Sequence, residues 1–263
     1  MSKIFRDYDQ AALDAQYDQR VWSPHMDEVI RRYAESSDAA RARIGEPVTH
    51  AYGPDVHHKL DVYGAGRECA FVFVHGGAWR RESRRESAFA AEPIVRMGAA
   101  YVALGFRALP AVALQEMVRQ VCDGIEWVRS NLCRKIALCA HSSGAHLAAC
   151  ALRKIDPVDR ALLISGIYDL APVRLSARNA FVKLDAQIEQ ELSPIRHVER
   201  IRCPVTVAWA ENDSAEFTRQ SREFAAVLGA PTLVGTGLDH FEFAETMADP
   251  TSLLGATALA MLE

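Results

Sequence analysis

Short apolar runs recur along the chain with helical stretches between them, and that alternation restricts the fold more than any other feature. The runs are Ala70-Phe71-Val72-Phe73-Val74, Ala99 to Leu104, Lys135 to Ala140, Ala161 to Ser165 and Pro204 to Trp209. Nearly unbroken by polar residues, they fit strands buried on both faces. Between them, Glu86 to Met97 and Ser143 to about Leu152 read as helices. Leu114, Val118, Val121, Ile125 and Val128 fall on one face at helical spacing. Strand, helix, strand in this order predicts a mostly parallel central sheet with helices on both faces. In such sheets the chemistry lies beyond the C-terminal ends of the strands.

The remaining segments extend the same plan. Val48 to Tyr52 and Leu60 to Tyr63 read as a half-buried edge hairpin, and Pro231 to Val234 as a short last strand. Glu216 to Leu228 and Ser252 to Met261 are expected as helices. Residues 1–45 form a leading helical arm, with a helix from Met26 to Arg43 that ends before Gly45-Glu46-Pro47. The polar segment 167–200 is long for a plain connection and is expected to be an inserted lid. With 263 residues, a single α/β domain over 1–263, including this arm and lid, is the expectation.

Composition narrows the partners. Thirty Lys plus Arg against 34 Asp plus Glu gives a net charge of −4, without the basic excess that a nucleic-acid partner demands. No run reaches about 18 apolar residues, so no membrane span is expected. The first 20 residues carry no apolar leader core. Six cysteines are scattered with no C-x-x-C pair, which suits a reduced cytoplasm. His141 with His146, and His57 with His58, make no convincing ligand set, so neither metal nor cofactor is expected. A homodimer through the sheet edge or the arm is compatible with this pattern.

The run Lys135 to Cys139 leads through Ala140-His141-Ser142-Ser143-Gly144 directly into a helical stretch. A serine at such a turn has its hydroxyl held above the sheet, with the next N–H at a helix N-terminus, as an acyl-transfer nucleophile requires. The plainer alternative is that Ser142 or Ser143 only caps the helix. Val74-His75-Gly76-Gly77-Ala78-Trp79 follows an earlier strand. Its paired glycines let backbone N–H groups, with that of Ser143, face a developing oxyanion. Asp213, in Ala210-Glu211-Asn212-Asp213-Ser214, is the preferred acid, with Glu211 as competitor. His240, in Gly235-Thr236-Gly237-Leu238-Asp239-His240, is the base, because no other histidine follows Asp213. His197 precedes the acid and is the lesser candidate, and His75 reads as structural.

These residues resemble the α/β-hydrolases, and within them the kynurenine formamidase (arylformamidase) group and its carboxylesterase relatives. The resemblance runs through Tyr8 to Tyr17, His75 to Arg80, Ala140 to Ala148, Ser214 to Ser221 and His240-Phe241, covering nearly the whole chain. It implies an α/β-hydrolase fold with Ser142 as nucleophile, Asp213 as acid and His240 as base. Gly76, Gly77 and Ser143 would supply the oxyanion hole. The implied reaction is cleavage of a small aryl formamide or acylated aromatic amine through an acyl-enzyme; the alternative is a short-chain carboxylesterase. The chain departs from the group at Ala140, in place of the first elbow glycine, and in Leu104 to Pro110, which lacks the expected tyrosine. Both departures bear on pocket shape and spare the catalytic groups.

For substrate contacts, the cluster Arg80, Arg81, Arg84, Arg85 is either a carboxylate site or a solvated helix start. Trp79, Phe106, Tyr168 and Phe181 are either apolar walls or packing. Cys139 and Cys150 belong to a strand and a helix rather than an exposed turn, which disfavours a cysteine hydrolase. A scaffold that retains the fold without turnover is disfavoured by the intact serine, acid and histidine.

Overall fold

The computed structural model of the chain describes residues 2–64, 68–81, 84–156 and 158–263. Its centre is an eight-stranded sheet: β1 (Val48–Ala51), β2 (Lys59–Tyr63), β3 (Cys69–Val74), β4 (Ala100–Leu104), β5 (Lys135–His141), β6 (Arg160–Ile164), β7 (Val205–Ala210) and β8 (Thr232–Gly235). The spatial order is β1-β2-β4-β3-β5-β6-β7-β8. β2 pairs antiparallel with both β1 and β4, while the pairs from β4 through β8 are parallel. This is the α/β-hydrolase fold.

Alternation along each strand divides the core in two. Ala70, Val72 and Val74 of β3 face one apolar layer, and Phe71 and Phe73 face the other. The first layer is covered by α5 (Leu114–Asn131), α6 (Ser143–Ala151) and α10 (Ala215–Leu228). The second is covered by α4 (Ala91–Arg96), α11 (His240–Glu245) and α12 (Leu253–Ala260), with Tyr101 stacked on Phe73 and Phe89 edge-on to the same ring. Burial on both sides explains why the strands read as continuous apolar runs.

The expected hairpin forms the edge of the sheet, with β1 outermost, but β2 lies between β1 and β4 and is buried more deeply than expected, at four of its five residues. A second expectation also needs correction. The stretch Glu86 to Met97 starts as a 3-10 helix, Arg85–Ala90, and becomes α-helical only at Ala91. Pro93 at the third α-helical position lacks the N–H that an earlier α-helical start would use.

The arm contains α1 (Gln10–Tyr17), α2 (Gln19–Trp22) and α3 (Met26–Ile44). Asp9 caps α1 and Asp18 caps α2 through their carboxylates. α3 packs along the 3-10 turn after β3, where Ser37 Oγ donates to the Glu86 carbonyl at 2.8 Å. Segment 167–200 contains α7 (Ala171–Leu175), α8 (Asn179–Val182), α9 (Ala186–Leu192) and a 3-10 helix, Pro194–Arg200. The arm and this segment are tied together: Gln10 Nε2 donates to the Leu175 carbonyl at 3.0 Å, and the Ala177 N–H donates to Asp14 at 2.6 Å.

No helix among the described residues is long and apolar enough to cross a membrane.

Candidate active site

The chain enters the nucleophile turn from β5, buried at every residue after Lys135. Ser142 follows β5 with φ 56° and ψ −126°, a left-handed conformation that costs a non-glycine residue about 1 to 3 kcal/mol. The surroundings hold it there: its N–H donates to the Ile164 carbonyl at 2.8 Å, and its own carbonyl accepts from Ala145 at 2.9 Å. Gly144 is required by close approach, because a Cβ there would stand 2.3 Å from the carbonyl oxygens of Val74 and His75. Ala140 needs no such freedom. It is an ordinary strand residue paired in register with Val74, and the departure from glycine leaves the turn intact.

Three strand ends deliver the reacting groups. Ser142 Oγ donates to His240 Nε2 at 2.9 Å, and His240 Nδ1 donates to Asp213 Oδ1 at 2.6 Å. The remaining oxygen of Asp213 accepts from Ser165 Oγ at 2.6 Å and from the Ala210 N–H at 3.1 Å. Asp213 is therefore the acid. Glu211 is exposed and instead accepts from the Gly237 N–H at 2.6 Å, bracing the loop that carries the histidine. His197 hydrogen-bonds the Gln190 carbonyl, outside the cleft. Asp239 caps α11 in a capping box with Glu242, which seats His240 at the first turn of that helix.

The imidazole of His240 is enclosed by rings, with Phe217 edge-on at 4.8 Å and Phe241 at 5.0 Å between centroids. His141 lies beside it, and its Nε2 donates to the His240 carbonyl at 3.0 Å. Burial, reinforced by His240, holds the His141 imidazole well below its usual pKa, so the ring is a neutral brace. From the arm, Tyr33 Oη donates to the Phe241 carbonyl at 2.6 Å, and Arg32 forms a two-point ion pair with Glu245.

The loop after β3 passes directly over the serine. Gly77, Ala78 and Trp79 all have positive φ, at 110°, 54° and 60°. At Gly76 an added Cβ would stand 2.9 Å from the Cβ of Ser142. Trp79 clamps this unusual run: its N–H donates to Ser143 Oγ at 3.1 Å, its indole N–H to His146 Nδ1 at 3.2 Å, and its carbonyl accepts from Leu109 at 2.8 Å. His146 Nε2 then donates to the Leu192 carbonyl at 2.9 Å, linking the loop to α9. His75 is structural, stacked on Phe106 with centroids 4.4 Å apart. Phe106 stands in the segment where a tyrosine was expected.

A cleft of about 940 Å³ opens above Ser142, lined by His75, Gly76, Gly77 and His141 on its floor. Tyr17, Tyr33, Phe89, Arg178, Phe181 and Phe241 are among its walls. Of the aromatic candidates, Phe181 lines the cleft and lies under the Arg80 guanidinium at 4.8 Å. Trp79, Phe106 and Tyr168 are buried and fall on the packing side of the alternative, Tyr168 stacked on Phe224 at 4.0 Å. The arginine cluster divides likewise: Arg80 and Arg81 line the cleft, Arg84 pairs with Asp61 at 2.7 Å, and Arg85 lies 3.9 Å from Asp38. Sequence reading missed Ser165, Tyr17, Tyr33 and Arg178. Only Ser165 had a local signal, a serine at the end of a predicted strand.

Cys139 and Cys150 are buried, and burial raises both thiols, Cys150 to about 12, which removes them as nucleophiles. Among the described residues, no group of three or more His, Cys, Asp or Glu side chains is arranged to hold a metal ion.

A strained serine elbow relayed through histidine to a fully hydrogen-bonded aspartate, on this sheet, defines a serine hydrolase of the α/β-hydrolase class. The BD-FAE family model matches residues 60–156. The chain is 33% identical to kynurenine formamidase of Danio rerio, with 95% of each protein covered, and 30% identical to that of Salmo salar, with 98% of each covered. It belongs to the kynurenine formamidase family. Among solved structures, a protein of Silicibacter sp. with a provisional thioesterase assignment superposes with TM-score 0.88 at 24% identity, covering 95% of this chain and 98% of that one. The likeness to that structure extends to the fold.

Proposed function

We propose that the protein hydrolyses aryl formamides and related small N-acyl arylamines, with segment 167–200 as the lid over the cleft. The observation that supports this most is the full-length relationship to kynurenine formamidases, joined to a cleft with several aromatic rings directly above the triad. In this reading His240 takes the Ser142 proton as Oγ attacks the formyl carbon, and Asp213 holds the imidazole in the tautomer that accepts it. N–H groups of Gly76, Gly77 and Ser143 receive the oxyanion; Ser143 opens α6, so its N–H has no intrahelical acceptor. The imidazolium protonates the departing arylamine nitrogen as the C–N bond breaks. Water, deprotonated by His240, then attacks the formyl ester and releases formate and the free serine.

Arylamines leave less readily than phenols, so the same site is expected to turn over activated aryl esters as well. The direct test is kcat/KM on N-formylkynurenine, simple formanilides, acetanilides and aryl acetates, with Ser142→Ala as control. A serine-dependent preference for the formamides supports the proposal. Efficient turnover of esters with no formamide cleavage would replace it with a short-chain carboxylesterase.

A further inference from the structure

Arg178 is a cleft-wall cation with no carboxylate partner among the described residues. Arg178, at the entry to α8, is half-buried and lines the same cleft as Ser142. Its Nη2 donates to the Tyr17 carbonyl at 2.5 Å, and its guanidinium carbon stands 5.3 Å from the centre of the Tyr17 ring. The other half-buried arginines of segment 167–200 are neutralised: Arg174 pairs with Glu189 at 2.5 Å, and Arg196 pairs with Glu189 at 2.5 Å and Asp169 at 3.4 Å. Among the described residues, no carboxylate reaches ion-pair distance of Arg178. Asp14, also in the cleft wall, is occupied by the Ala177 N–H and by Gln10, and Asp18 is an exposed cap that acts on Arg178 only at longer range.

A desolvated guanidinium without an anion is costly, and burial accordingly lowers its pKa to about 10. The single carbonyl contact uses part of a five-donor fork whose flat geometry matches a carboxylate. Aromatic surface flanks it, with Tyr17 beneath the guanidinium and Phe181 in the same wall. We infer that Arg178 is an anion subsite, and that it takes a carboxylate borne by the arylamine part of the substrate. The inference rests on the proposed aryl-formamide reading only for the identity of the scissile bond.

The test uses two matched substrate pairs, N-formyl arylamines and aryl acetates, each pair differing only in a side-chain carboxylate against its primary amide. Wild type is expected to favour the carboxylate member by at least about tenfold in kcat/KM, mainly through KM. Arg178→Gln should erase that preference by raising KM on the carboxylate member far more than on the amide member, and Arg178→Lys should restore part of it. Arg85→Gln, which removes an exposed charge outside the cleft lining, should leave the preference intact. No preference in wild type would overturn the inference. So would an equal loss on both members in Arg178→Gln, which is the signature of losing only the tie to Tyr17. If that variant does not fold, competition decides: benzoate must inhibit wild type more strongly than benzamide, and equal inhibition overturns the inference. Charge preference on the acetates with no formamide turnover would retire the formamide reading and leave the anion subsite standing.

Discussion

The floor and the walls of the cleft are assembled by different means. Ser142, Asp213 and His240 stand one, three and five residues beyond β5, β7 and β8, and every polar atom of the relay has a protein partner. Tyr17, Arg178 and Phe181 come instead from the arm and from segment 167–200, more than 150 residues apart in the chain, and are held by a few hydrogen bonds between the two. The floor is organised before substrate arrives, which is what transition-state stabilisation demands. Tyr17, Arg178 and Phe181 make none of the relay's hydrogen bonds and can set selectivity without disturbing the chemistry. Substitutions in the floor should therefore lower kcat, and substitutions in the walls should raise KM.

Removing the nucleophile is the strongest test of this division. Ser142→Ala should lower kcat by about 10⁴-fold or more with KM little changed, read on a formanilide under saturating conditions. Retained turnover would place the chemistry elsewhere. Asp213→Asn should cost about 10³- to 10⁴-fold, because the amide can hold His240 in the wrong tautomer. Ser165 extends the floor by one residue: Ser165→Ala strips one of three donors from Asp213 and should reduce kcat by about tenfold while leaving KM unchanged. A pure KM effect would assign Ser165 to the wall instead. On the other side, Phe181→Ala should raise KM by a few-fold with kcat preserved, since it removes a half-buried ring from the cleft.

The smallest effect concerns the clamp between floor and segment 167–200. Burial lowers the His146 pKa from 6.5 to about 4, so the folded protein holds this ring neutral while the unfolded chain protonates it first. The unfolded state then binds more protons between those values, and stability must fall as pH drops from 6.5 towards 4. Protonation would also set an N–H on Nδ1 against the Trp79 indole N–H. Thermal midpoints measured across that window should decline less steeply in His146→Gln than in wild type. Parallel curves would show that other groups carry the acid sensitivity.

How much of this was legible follows the same division. The β3, β5 and β7 runs are apolar because helices cover both faces, so their ends, and the serine, glycine pair and acid beyond them, can be located by local pattern. Asp213 is preferred over Glu211 in sequence, and in three dimensions Glu211, the carboxylate nearer the strand, turns outward to brace Gly237. The walls carry no comparable local signal. Arg178 resembles the chain's other arginines until Tyr17 is folded beside it, and Trp79 and Phe106 look like pocket aromatics until the positive-φ loop turns them into clamp and packing. Burial that depends on a partner more than a hundred residues away cannot be read from spacing.

The central claim is that one prepared serine performs all the chemistry in this cleft, whichever substrate the walls admit. It is tested most directly by treating the protein with an aryl phosphonate, locating the adduct by peptide mass spectrometry and following formanilide and aryl acetate hydrolysis in parallel. The account predicts one phosphonyl group per chain, on Ser142, with both activities lost in proportion to labelling. An adduct on another residue, or either activity persisting in fully Ser142-labelled protein, would contradict it.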